Sequence, residues 1–219
     1  MTEIKSIIKI SMADDHVLLR NALANLIDSF EICQVIFQAS NGKEIIENIS
    51  SGNIPEIVLL DLNMPEMDGF ETAAWLKNNY PNVHVLMLTM YDSEVTLIRL
   101  LQAGVKGFLK KDIHPSELKF AIQSVNQYGY YYSHNTTGKL VNLFRNSDEM
   151  KLQKSILSDQ EIYFLKLAAT DLTYKEIAMK IELNPRAVDN LRDHLFEKLD
   201  VKSRVGLAMY AIRQGIVRF

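Results

Sequence analysis

The chain has 219 residues, enough for two modest domains, and its 47% hydrophobic and 23% charged residues exclude a disordered or collagen-like chain. Its net charge of −3 divides unevenly: residues 1–130 carry 10 Lys+Arg against 16 Asp+Glu, residues 131–150 carry 2 against 2, and residues 151–219 carry 12 against 9. That pattern points to nucleic acid as a partner of the C-terminal end. A single cysteine, Cys33, an N-terminal stretch too short for a signal peptide and no run of about 20 apolar residues lead to the expectation of a cytoplasmic protein with no membrane role.

Short β-branched runs predict strands at Ile7–Ala13, Val35–Ala39, Ile57–Leu60, Val83–Leu88 and Val105–Leu109. Apolar residues at three- and four-residue spacing predict helices between and after them, at Val17–Ser29, Gly42–Ile49, Phe70–Asn79, Glu94–Ala103 and Ser116–Gln127. Five βα units imply a doubly wound α/β domain with a parallel sheet covered on both faces. Residues 129–155 lack a clear period and read as a linker, with a short helix expected at Lys139–Arg145. From Leu157 the period is helical to the end. Ser158-x-x-Glu161 and Thr173-x-x-Glu176 are capping boxes, Asn184-Pro185 starts a third helix and Ser203 a fourth, giving an all-α helix-turn-helix domain.

Asp14 and Asp15 follow the first strand and Asp61 the third, so three carboxylates converge where ligands of such sheets bind. Their mutual repulsion is relieved by a hard divalent cation, Mg²⁺ where a phosphate also binds. Thr89 ends the fourth strand and Lys110-Lys111 the fifth, adding a hydroxyl and an ammonium at the same edge. Together these groups suit phosphoryl transfer, with Asp61 as the nucleophile.

DLNMPEMDGFE (61–71), the Asp14-Asp15 pair, LTMYD (88–92) and AGVKGFLKKD (103–112) resemble the receiver domain of two-component response regulators over about residues 6–128. The resemblance implies phosphorylation of Asp61 by a sensor histidine kinase or a small phosphodonor. It implies Mg²⁺ held by Asp15, Asp61 and the Asn63 carbonyl with Asp14 assisting, and contact of Thr89 and Lys111 with the phosphoryl group. Lys110, one residue earlier on a strand of period two, should face the other way. Phe108 falls at the switch aromatic, and Met90 stands where a smaller residue is common.

LSDQEIYFLKLAATDLTYKEIAMKIELNPRAVDNLRDHLFEKLDVKSRVGLAMYAIRQGIV (157–217) resembles the LuxR-type helix-turn-helix domain of the NarL/FixJ subfamily. Receiver 1–128, linker 129–155 and DNA-binding domain 156–219 are the expected divisions. The third C-terminal helix would enter the major groove of operator DNA, with the phosphorylated protein a homodimer on two half-sites. Three features depart from the family: Asp171 stands in a turn where glycine is favoured, Ala187 replaces a common threonine, and Asp189 and Asp193 lie on the recognition face. Aspartate accepts from cytosine N4 and Asn190 reads adenine, so Asp189, Asn190 and Asp193 would select bases. Lys175, Arg186, Arg192, Lys198, Lys202 and Arg204 would hold phosphates. Two other readings compete: a helical domain that docks a protein in place of DNA, and a Mg²⁺-dependent phosphohydrolase at the acidic edge.

Overall fold

Alternation of apolar runs with amphipathic segments produces the expected elements in the computed structural model, which describes residues 7–90, 93–133, 136–138, 141 and 156–217. In the first unit these are β1 (Ile8–Ala13), α1 (Val17–Asp28), β2 (Cys33–Ala39), α2 (Gly42–Ser50), β3 (Ile57–Asp61), α3 (Gly69–Asn79), β4 (His84–Thr89), α4 (Glu94–Gln102), β5 (Gly107–Lys110) and α5 (Pro115–Tyr128). Every pairing is parallel, in the order β2-β1-β3-β4-β5. The chain reverses direction of travel across the sheet between β1 and β3, which makes their C-terminal ends the switch point where such sheets bind ligands.

β3 is central and all five of its residues are buried. Ile10, Ile57, Leu59 and Leu86 of three neighbouring strands pack with Ile27 of α1 and Ala121, Ile122 and Val125 of α5. Close packing also fixes Gly69 at the start of α3. A Cβ there would collide with the backbone carbonyl oxygen of Asp61, so only glycine lets α3 begin against the end of β3. Asp68 and Glu71 close a capping box over that helix start.

β5 begins two residues later than its apolar run suggests. Lys106 lies just before it, its N–H donating to the Val85 carbonyl and its carbonyl accepting from the Tyr131 N–H. Tyr131 itself joins the first unit's core, stacks edge-on with Phe120 and donates its hydroxyl to Glu117. The start of the expected linker is therefore bound to the receiver fold. The expected helix at Lys139–Arg145 lies outside the described residues, apart from Val141.

The second unit contains α6 (Asp159–Ala168), α7 (Tyr174–Lys180), α8 (Pro185–Lys198) and α9 (Arg204–Arg213). All four named starts form: both capping boxes close, Asn184 accepts from the Ala187 N–H, and Ser203 accepts from the Gly206 N–H. Phe164, Leu165, Ile177, Val188, Leu195, Leu207 and Ala211 make its core. Among the described residues no helix is long and apolar enough to cross a membrane.

Candidate functional site

Strand ends assemble the acidic site. Asp14 follows β1 directly and is buried; Asp61 is the last residue of β3 and is buried; Asp15 is partly exposed. Ligand atoms of Asp14, Asp15, His16 and Asp61 lie within 4.8 Å of one another. Lys111 reaches into this cluster, its Nζ 2.7 Å from Asp14 Oδ2 and 2.9 Å from Asp61 Oδ1, and its side chain is largely buried. Lys110, one residue earlier, ends β5 opposite Thr89, so the strand's period separates the two lysines. Thr89 is fully buried, and its carbonyl accepts from the Lys111 N–H.

Arg20 of α1 fixes the loop that carries Asp14. Its Nη1 donates to the Asp14 carbonyl at 2.6 Å, the Ala39 carbonyl at 3.2 Å and Ser40 Oγ at 3.0 Å, tying the ends of β1 and β2 together. His16 Nδ1 sits 2.9 Å from Asp14 Oδ1 and 3.0 Å from Asp15 Oδ1. His16 is absent from the expected site, and its place beside an acidic pair at a strand end is the signal in the sequence that points to it.

Burial acts first on both inner carboxylates and raises their affinity for a proton, but the balance differs between them. For Asp14, hydrogen bonds from Lys111 and from the His16 backbone N–H outweigh burial and hold the carboxyl below its ordinary value. For Asp61, burial wins over the Lys111 charge and hydrogen bond, and the Asp14 charge adds to the rise. Three carboxylates face one lysine. The cluster thus retains excess negative charge and oxygen donors suited to a hard divalent cation.

Asn63 is half-buried two residues beyond Asp61. Phe108 is buried on β5, opposite Met87 of β4, and Met90 is exposed just past Thr89.

The second unit disperses its expected DNA contacts. Lys175, Arg186, Asp189, Asn190, Asp193 and Lys202 are exposed, and the three cations among them make no ion pair with any described residue. The other three expected phosphate holders are engaged within the fold. Lys198 Nζ lies 2.8 Å from each carboxylate oxygen of buried Glu161, a pairing that the sequence reading missed by treating Glu161 only as a cap. Arg204 donates to the Ala168 and Thr170 carbonyls and lies over the Tyr174 ring. Arg192 binds Asp189 and Asp193. Lys198 and Arg204 thus tie α8 and α9 to α6 and its following turn, while Arg192 pairs within α8 and lies over the Tyr174 ring of α7, so each of these three expected phosphate holders already has partners inside the fold.

Residues 10–123 match the response regulator receiver domain, and residues 155–211 match the bacterial regulatory proteins of the luxR family. The oxygen regulatory protein NreC of Staphylococcus haemolyticus is 30% identical over 217 residues, covering 96% of this chain and 100% of that protein. The transcriptional regulatory protein LnrK of Bacillus subtilis is 30% identical over 220 residues, covering 97% and 100%. The structure of RcsB from Salmonella enterica serovar Typhimurium, bound to promoter rprA in the presence of phosphomimetic BeF3-, aligns with a TM-score of 0.69 at 20% identity over 94% of this chain and 98% of that one. With the acidic strand ends and the capped helix-turn-helix both in place, the chain belongs to the response regulators that join a receiver domain to a LuxR-type DNA-binding domain in transcription regulation.

Proposed function

We propose that Asp61 is the phosphoacceptor and that its phosphorylation, by a sensor histidine kinase or a small phosphodonor, switches the C-terminal domain onto operator DNA. The observation that carries this reading is the Lys111 bridge to Asp14 and Asp61, which brings the ends of β1, β3 and the β5 turn to one point. A side-chain oxygen of Asp61 attacks the phosphorus in line. A P–O bond forms as the bond to the donor's nitrogen or oxygen breaks, and the electron pair leaves with the donor.

Asp15, Asp61 and the Asn63 carbonyl would hold Mg²⁺, with Asp14 assisting, and the cation would neutralise the phosphoryl oxygens. The close-packed carboxylate oxygens of Asp14, Asp15 and Asp61 fit that role. Lys111 then exchanges its Asp61 contact for a phosphoryl oxygen, and the Thr89 hydroxyl donates to another. Movement of Thr89 leaves room for the Phe108 ring to change rotamer. The chain acts once per phosphoryl group, with at most self-phosphorylation and self-dephosphorylation activity.

The functional division places the receiver at 1–128 with Tyr131 as its outer buttress, the connection up to residue 155, and the DNA-binding domain at 156–219. α8 enters the major groove, and a homodimer places two copies of it on half-sites one helical turn apart. Lys175, Arg186 and Lys202 hold phosphates. Three exposed cations per protomer set a salt dependence of log K on log[salt] with a slope of about −5 for the dimer, against about −11 if all six expected cations bound phosphates.

Incubation with a small phosphodonor and Mg²⁺ should add one phosphoryl mass to the chain, in a bond cleaved by hydroxylamine. Retained incorporation in Asp61→Ala would overturn the assignment.

A further inference from the structure

The exposed face of α8 carries acid toward a polyanion, yet its two aspartates are not loose charges. Arg192 Nη1 donates to Asp189 Oδ1 at 2.8 Å, and Arg192 Nε and Nη2 reach Asp193 Oδ1 at 2.9 and 2.8 Å. Arg192 is only 25% exposed and lies over the rings of Tyr174 at 5.2 Å and Phe196 at 6.0 Å. The aspartate side chains are 52% and 62% exposed, and Oδ2 of each has no partner among the described residues. One guanidinium, backed by two rings, thus braces two carboxylates and leaves one oxygen of each facing outward.

Resting on the reading that α8 enters the major groove, we infer that Asp189 and Asp193 form a preorganised pair of acceptors that reads exocyclic amino groups, cytosine N4 first, and that Arg192 is a positioning residue and not a phosphate contact. A carboxylate can only accept. Guanine presents O6 and N7 and thymine presents O4, all acceptors that repel it, whereas cytosine presents a lone N4 donor. Adenine N6 is the second choice, because its neighbouring N7 is itself an acceptor.

The brace works in two ways. It fixes two side chains that otherwise lose rotamer freedom on binding, and it leaves the trio with one net negative charge in place of two beside the phosphates. Positions four apart on a helix are about 6 Å apart along its axis, or roughly two base-pair steps. Each half-site should therefore carry two amino-bearing bases one to two base pairs apart.

Selection of duplexes from a random pool, using the full chain with phosphodonor and Mg²⁺, tests this. Cytosine should be enriched at two such positions. N4-methylcytosine, whose methyl group replaces the hydrogen offered to the groove, should weaken binding by about tenfold at either position, while 5-methylcytosine leaves the N4 donor in place. Asp189→Ala and Asp193→Ala should each relax preference at one position. Arg192→Gln should relax both, with Arg192→Lys restoring part, and the melting midpoints of these variants, with Asp189→Asn and Asp193→Asn alongside, separate loss of readout from loss of fold. Enrichment of guanine or thymine at those positions, or unchanged preferences in the alanine variants, would overturn the inference while leaving DNA binding by α8 intact. A phosphorylated wild type that enriches nothing would overturn both and assign the acidic face to a protein partner.

Discussion

Each unit contains a cation held between carboxylates, and the two clusters differ in what remains unbalanced. At the strand ends of the first unit, Lys111 bridges Asp14 and Asp61 while Asp15 stands beside them, so negative charge is left over in a largely buried setting. In the second unit Glu161 and Lys198 cancel one another inside the fold, and Arg192 half-cancels two exposed aspartates. Buried surplus charge invites a ligand, whereas a matched buried pair serves the fold. Identical chemical groups thus have different functions because of their arithmetic and their depth.

The comparison breaks most visibly if Lys111 is dispensable. Lys111→Met should slow phosphoryl incorporation by about 100-fold or more, because one preorganised charge at the transferring group is lost; incorporation at the wild-type rate would show that the bridge is only structural. Lys198→Met should instead leave incorporation unchanged and destabilise the second unit by about 1–3 kcal/mol, since the buried Glu161 carboxylate loses its full cation and keeps only the Ser158 N–H and the His194 ring. Hydrogen exchange at amides of α6 and α8 reads that loss. Arg192→Met, on the exposed face, should cost under about 1 kcal/mol by the same readout.

Acid sharpens the contrast further. Burial raises the Glu161 pKa, but the Lys198 and Ser158 hydrogen bonds and the Lys198 charge together hold it below the ordinary value of 4.5. A depressed carboxyl stabilises the fold above its unfolded pKa and loses that contribution as pH falls through the folded one. Protection of α6 and α8 should therefore decline below about pH 4.5 in the wild type, and Glu161→Gln should start lower and decline less. Asp61 carries the opposite sign: its raised pKa makes ionisation cost stability as pH climbs above the ordinary carboxylate range, so Asp61→Asn should raise the first unit's melting midpoint at neutral pH.

The parallel sheet was legible because residues buried on both faces need continuous apolar runs, and Ile57–Leu60 has no other plausible home. The ungapped match of GFLKKD to the receiver family singled out Lys111, and strand period put Lys110 on the other face. Pairings across 37 residues, such as Lys198 with Glu161, leave no periodic trace, and both residues already had local roles that concealed the tertiary one. Tyr131 escaped for a related reason: three consecutive tyrosines after a glycine cap carry no period that singles out the middle one, and its burial follows from tertiary contacts, its N–H on the Lys106 carbonyl and its ring against Phe120. Arg192 was expected among the phosphate holders because net charge along a helix does not reveal which charges already face one another.

The central claim is that surplus charge at the strand ends controls the helix in the second unit. Its most direct test is the affinity of the full chain for a duplex selected from a random pool, measured with and without phosphodonor and Mg²⁺, in wild type and in Asp61→Asn. Phosphodonor should tighten binding in the wild type and leave Asp61→Asn unchanged. Equal affinity in all four conditions, or tightening that survives in Asp61→Asn, would contradict it.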